Sequence, residues 1–396
     1  MKQHKIFMLS VFFIFSMIIF PTTITATTRS SGIGLAIYSQ EVTTGAWVYA
    51  NDNFEFFLKA AILGGSISVG QDVSLGTPFT IPSTDVLTHY FPVISDGIVV
   101  GTFRVFVDEF QSRENSKVTY TGILSPYLAD EINTLLHSSK MRSFDAVTLY
   151  YDNGNLMRLV DGVSEVLSPN PMGDLPVGVM LTAGFDDLST VSPLTSTIHI
   201  ETSTAEPFIK TATGSAIRFD FSAIEPRGVS SRFLDVRITE RQGSRPWCGA
   251  YATAMILRFM RGNDTSITAL RLMQDAYAGM PLRDLERRSF SWGAMERAYT
   301  SRGFGVSMRF WQTLTLREVQ TELRRNIPIM ISTQNLSDGG DHAFVIRGYT
   351  YVPGTHSSYS IWNPWNNFFE VMNTNSVQIS SGGRLWEWHS TIVGRR

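Results

Sequence analysis

Thiol sulfur is nearly missing from this chain: Cys248 is the single cysteine among 396 residues. One thiol forms no internal disulfide and no cysteine-rich metal site, so a packed core must hold the fold together. Lysine is missing after Lys210, and every later cation is arginine. Beyond residue 20 no apolar run reaches the roughly 20 residues that a helix needs to span a bilayer. A basic patch interleaved with aromatic residues is also missing, as is any recognised nucleic-acid motif, which removes nucleic acid from the expected partners.

What is present begins with Lys2 and Lys5, an apolar run over residues 6–20, and small residues up to Ala26. Charge, a short apolar core and small residues in that order predict a secretory signal peptide over residues 1–26. The run is too short for a retained span. The expected location is extracellular, with no stable membrane anchor once the signal is removed.

The 370 residues after the signal exceed what one compact domain usually holds. Residues 27–225 carry 10 Lys+Arg against 22 Asp+Glu, whereas residues 226–396 carry 21 against 13. Opposite potentials steer and orient association, so the acidic part is expected to dock on the basic part. The division is therefore 1–26, 27–225 and 226–396. Residues 222–232 look like an exposed linker open to proteolytic nicking, and the activation boundary is expected there.

The acidic part is expected to be β-rich. Strands are predicted at 33–39, 47–50, 90–94, 98–107, 118–124, 146–151, 197–201 and 217–221, where β-branched and aromatic residues lie between turn formers. A two-residue hairpin is expected at Asn153-Gly154, and an amphipathic helix over 126–137 with Leu128, Ile132, Leu135 and Leu136 on one face. His89, His137 and His199 are isolated and read as ordinary surface or core residues, and residues 168–176, with three prolines, as a loop.

The basic part has helices first and strands later, giving an α+β pattern. Ser244 is expected to cap a helix with Pro246 in its first turn and Tyr251, Ala254, Met255 and Phe259 on its apolar face, so that Cys248 lies at the helix start. Further helices are predicted at 267–278, 292–301 and 316–325, the last opened by the capping box Thr315-Leu316-Arg317-Glu318. Strands are predicted at 327–333, 343–351, 359–362, 368–372 and 385–392.

A thiol with its usual pKa near ~8.5 is mostly protonated at neutral pH, and lowering it by ~4 units needs ~5–6 kcal/mol. A helix N-terminus contributes at most ~2 kcal/mol, so a nucleophilic Cys248 calls for a nearby imidazolium. His342, in Gly340-Asp341-His342-Ala343-Phe344-Val345, is the candidate general base and acid, and a thiolate–imidazolium pair is the expected resting state. Asn363, in Trp362-Asn363-Pro364-Trp365, can hold the other ring nitrogen, with Trp365 as a shield. The negative oxygen of a tetrahedral intermediate is best met by the Cys248 backbone N–H and the Gln242 side-chain NH₂. The chemistry indicated is peptide-bond cleavage, with neither metal nor organic cofactor required.

Gln242, the Trp247-Cys248 helix start, Asp341-His342-Ala343 leading to Gly348-Tyr349, and Asn363-Pro364-Trp365 resemble the papain-like cysteine peptidases. The interval of 94 residues from Cys248 to His342, the tryptophan before the cysteine, and the absence of disulfides look most like the staphopain branch. The resemblance covers roughly residues 237–392. It implies an α+β catalytic domain of two lobes, one helical and one β-barrel-like, preceded by a β-rich pro-domain that inhibits it intramolecularly. It also implies Cys248 as nucleophile, His342 as base, Asn363 as orienting residue and Gln242 as oxyanion donor. Protein or peptide substrates follow, with an apolar residue accepted just before the scissile residue, and a dedicated proteinaceous inhibitor is a further candidate partner.

Each residue also has a plainer reading. A lone cysteine can be a small buried apolar residue, and Asn363 before proline can simply start a turn. His356, in a loop-like run, and His389, after Trp388, are alternative histidines, but neither begins an apolar strand. Asp341 reads as a polar neighbour, and Arg283, Arg287 and Arg288 as a solvated helix face. Two other functions stay open: a different Cys-His enzyme of the same fold, such as a leader peptidase or transglutaminase-like acyl transferase, and a catalytically inactive secreted binding protein.

Overall fold

The computed structural model describes residues 44–137, strands within 146–218, and residues 229–396, apart from residues 77, 82–86, 116, 338 and 355. The expected signal peptide, the strand at 33–39, the turn at Asn153-Gly154, the loop over 169–176 and the linker residues 222–228 lie outside the described residues.

The N-terminal unit opens with helix α1 (Thr44–Leu63), followed by β1 (Asp72–Leu75), β2 (Phe79–Ile81), β3 (Thr88–Ser95), β4 (Ile98–Val107), α2 (Glu109–Asn115), β5 (Tyr120–Ser125) and α3 (Ala129–His137). The strand expected at 47–50 is instead part of α1. Trp47, Val48 and Tyr49 look strand-like in a short window. Over 20 residues, however, Ala46, Ala50, Phe54, Phe57, Leu58 and Ala61 recur at helical spacing and bury one face. That face packs against β4 and β5, and Phe103, Val105 and Leu124 of these strands complete a core with Phe91 and Val93 of β3. A separate antiparallel sheet is built from β6 (Ala146–Asp152), β7 (Asn155–Val160), β8 (Val163–Ser168) and β9 (Ser196–His199), with Asp152 opposite Asn155 as a two-residue connection requires. Strand β10 (Ile217–Arg218) pairs with β1.

The C-terminal unit has β11 (Ser230–Phe233), α4 (Cys248–Met260), α5 (Ala269–Ala276), α6 (Leu282–Leu285), α7 (Trp292–Thr300), β12 (Gly305–Arg309) and α8 (Leu316–Arg324). Strands β13 (Ile329–Asn335), β14 (Asp341–Val352), β15 (His356–Trp362), β16 (Phe369–Asn373), β17 (Gln378–Ser381) and β18 (Arg384–Arg395) follow. The mixture of helix and sheet is α+β. The predicted capping box is present, with Thr315 accepting from Glu318 N–H and the Glu318 carboxylate returning to Thr315. Residues 230–232, expected in an exposed linker, are instead paired with β14. The two backbones approach closely there, and a Cβ on Gly348 would lie 2.5 Å from the Phe233 ring and 2.8 Å from the Arg232 carbonyl oxygen. His356 begins β15, contrary to the loop reading, because its strand is completed by pairing to residues far away in sequence.

The two units share one hydrogen-bonded ladder, in the order β10-β1-β3-β4-β5-β16-β15-β14-β13-β18-β12. The junction is β5 against β16, with Leu124 opposite Val371 and Ile123 opposite Met372. Side chains cross this seam: Phe106 and Ile123 belong to the C-terminal core, and Val371 belongs to the N-terminal one.

Candidate active site

Helix α4 is the central helix of the C-terminal unit, buried on nearly all sides from Gly249 to Leu257 and packed against β14, α5 and α7. Cys248 is its first residue. Ser244 does not cap it. The N-cap is Trp247, which makes no side-chain cap bond; its fully buried ring is fixed by an Nε1–H bond to the Leu285 carbonyl at 3.1 Å and by the Arg245 guanidinium lying over it. A buried aromatic anchor therefore sets the start of the helix, and the first turn presents backbone N–H groups with no partner inside the helix.

His342 lies on β14 opposite Thr333 of β13, and is 2 % exposed. Its Nε2 is 2.9 Å from Asn363 Oδ1, just past the end of β15. The orientation of the Asn363 amide is set by its surroundings. Its Nδ2 donates to Ser381 Oγ at 2.8 Å, and its Oδ1 accepts the Trp365 backbone N–H at 3.1 Å. The oxygen thus faces the imidazole, which places the proton on Nε2 and leaves Nδ1 as the basic nitrogen. Trp365 stacks on His342 with ring centroids 3.9 Å apart and planes 21° from parallel, while Trp386 and Phe344 close other sides. The Cys248 side chain is half-buried, and the backbone N–H groups of Ala343, the residue after His342, and of Gly249 favour its thiolate form.

Burial governs the ionisation of both groups. It pushes the Cys248 thiol up to about 11, against the N–H groups of Ala343 and Gly249. It pushes His342 down to about 3, against the Asn363 hydrogen bond, with Arg384 adding to the fall. In this chain burial thus favours the neutral form of each group over the charged one. The loss of solvation outweighs the contribution of the helix end.

The model of the staphopain peptidase C47 family matches residues 229–395. An extracellular cysteine protease of Staphylococcus epidermidis is 25 % identical over 171 residues, which are 41 % of this chain and 96 % of that protein. Staphopain A of Staphylococcus aureus is 24 % identical over 173 residues, 41 % of this chain and 43 % of the relative. Residues 229–395 are a staphopain-like cysteine peptidase domain. The class is hydrolase. The matched segment spans less than half of the longer relatives.

In the staphopain-like domain Gln242 is buried against the turn that carries Asn363. Its backbone N–H donates to the carbonyl of Pro364, which follows Asn363, at 2.8 Å, and its side-chain Nε2 donates to the Arg245 carbonyl at 2.6 Å. His389 lies elsewhere, its Nδ1 against Ser390 Oγ and its Nε2 3.6 Å from Asp341 Oδ1, while His356 packs on Phe56 of the N-terminal unit. Among the described residues no cluster of His, Cys, Asp and Glu could hold a metal ion.

Sequence reasoning missed Ser381, the residue that orients Asn363; it stands in a Ser-Ser-Gly-Gly turn whose composition signals only a hairpin. It also missed the setting of Arg283 and Arg287. These line a cavity of about 400 Å³ together with Gly243, Ser244, Arg245 and Glu286. Phe310 and Trp311 are exposed, Trp311 by 75 %, with Phe310 packed edge-on to Trp292 and Trp311 tilted on His389.

Proposed function

We propose that this chain is a secreted cysteine endopeptidase made as a zymogen, with residues 1–26 as signal, 27–225 as inhibitory pro-region and 226–396 as a papain-like, two-lobed catalytic domain. The observation that carries the reading is the 2.9 Å bond from His342 Nε2 to Asn363 Oδ1, which leaves Nδ1 as the working nitrogen, taken with Cys248 at the start of α4.

In the proposed reaction Cys248 attacks the scissile carbonyl as a thiolate, its proton held by His342 Nδ1. The tetrahedral oxygen takes hydrogen bonds from the Cys248 backbone N–H and from Gln242, whose amide turns from the Arg245 carbonyl to do so. The C–N bond breaks as His342 protonates the leaving amine. Water, deprotonated by His342, then hydrolyses the thioester and returns the thiol. Asn363, as an amide, orients the imidazole through both steps; an acyl transferase of this type usually places an aspartate there.

Burial that favours the neutral thiol and imidazole suits a precursor held inactive. The N-terminal unit grips β17 through Thr88 Oγ1, 3.1 Å from Ser380 Oγ, and through the Arg104 bond to the Ser380 carbonyl, one residue from the Ser381 that holds Asn363. Removing that unit is expected to admit water and favour the ion pair. Exposed Phe310 and Trp311 suit an apolar substrate side chain. An extracellular site follows from the expected signal and from the likeness to extracellular proteases; among the described residues no helix is long and apolar enough to cross a membrane.

The test is to produce residues 27–396 with and without Cys248→Ala and to follow processing and casein cleavage. Casein loss only with the intact thiol supports the reading. Equal cleavage by the alanine variant, with contaminating proteases controlled, ends it.

A further inference from the structure

We infer that the cavity between the 243–245 loop and α6 is a subsite for an acidic side chain on the substrate residue that supplies the scissile carbonyl. The inference rests on the peptidase reading above and adds a charge preference to it. Gly243, Ser244 and Arg245 form one wall, Arg283, Glu286 and Arg287 the other, around about 400 Å³.

The two walls are joined rigidly. The Leu285 carbonyl accepts from Trp247 Nε1 at 3.1 Å, and Glu286 Oε1 accepts from Arg245 Nε and Nη2 at 3.1 and 2.8 Å. Trp247 is the residue before Cys248, so α6 and the start of α4 share one anchor. The 243–245 segment lies between Gln242 and Cys248. In the proposed chemistry these hold the carbonyl oxygen, so the substituent on the adjoining α-carbon lies nearest the middle of the segment that joins them. Gly243 leaves this wall open, since a Cβ built there meets nothing within 4 Å.

The charge of the cavity is unbalanced. Three guanidinium groups face one carboxylate, and Glu286 is already engaged by Arg245. Arg283 is 85 % exposed with its nearest carboxylate, Asp284, at 3.7 Å, and Arg287 forms no ion pair among the described residues. Two planar donor forks are thus left to a ligand, and the group that matches them in shape and charge is a carboxylate.

The test uses the protein after proteolytic processing has released the N-terminal unit, and two thiol-directed peptidyl chloromethyl ketones, identical except for Glu or Gln next to the reactive group, with labelling of Cys248 followed by mass spectrometry. The Glu reagent is expected to label roughly three- to tenfold faster, with the ratio falling as salt is raised. Arg283→Gln/Arg287→Gln should bring the ratio to about one, and Arg287→Glu should push it below the native value; ratios are insensitive to a general loss of reactivity. Equal rates in the native protein, or a preference that survives the double variant, overturn the inference and leave the peptidase reading standing. Failure of both reagents to label Cys248 while iodoacetamide does so overturns both.

Discussion

Arg104 of β4 and Glu370 of β16 form an ion pair across the junction of the two units with both side chains fully buried. The polarity is the reverse of the bulk charge: the cation belongs to the acidic unit and the anion to the basic one. Arg104 also donates to the Ser380 carbonyl and to Ser125 Oγ. Net charge can steer the units together at long range, but at the junction, beside the β5–β16 ladder, the buried ion pair has the opposite polarity.

Removing one partner strands the other in a site without water. Glu370→Leu alone is expected to destabilise the full chain by ~3–5 kcal/mol, whereas Arg104→Met/Glu370→Leu should lie much closer to the parent. Urea unfolding followed by tryptophan fluorescence measures both. A double variant as unstable as the single one contradicts the account.

Asn363→Ala removes the acceptor that holds His342 Nε2. The expected result is a fall of about 100-fold in kcat with a smaller change in KM, because the imidazole loses its orientation for proton transfer while the substrate contacts remain. Steady-state kinetics on a fluorogenic peptide checks this, and an unchanged kcat refutes the positioning role.

Acid should weaken the full chain through two histidines. Burial lowers His342 to about 3 and His89 to about 4, both below the ordinary value near 6.5. Between those limits the unfolded state binds more protons than the folded state, so stability rises with pH there and is lost as pH falls from about 6.5 towards 4. Each group contributes at most about 1.4 kcal/mol per pH unit. His89→Gln and His342→Gln should each flatten the dependence of Tm on pH across that window. An unaltered slope in both rejects the assignment.

Gly348→Ala is expected to lower stability by about 1–3 kcal/mol, since its Cβ meets the Phe233 ring at 2.5 Å and the Arg232 backbone oxygen at 2.8 Å. The strand β11 should loosen first. Faster amide exchange at residues 230–233 relative to β13 is the measurement, and equal protection argues against the crowding.

The places of Cys248 at a helix start and of His342 at the start of a strand were legible in the chain because their signals are local: an apolar helical pattern follows the cysteine and an apolar strand follows the histidine. The long strand β14 and the capped helix α8 were legible for the same reason, as periodicity and capping act within a few residues. Residues 47–50 misled because aromatic and β-branched residues dominate a short window, while the buried face of α1, running from Ala46 to Ala61, is set by its packing on β4 and β5.

What the sequence alone determined is the class of chemistry and the order of the elements, both written in residue type and spacing. Only the tertiary structure decided that Ser381 aims the Asn363 amide, that Arg104 pairs with Glu370, that Arg283 and Arg287 face the loop before Cys248, and that burial pushes the thiol up and the imidazole down. These depend on desolvation and on partners brought together from distant parts of the chain, and a charge cannot be assigned to a group until it is known what has displaced its water.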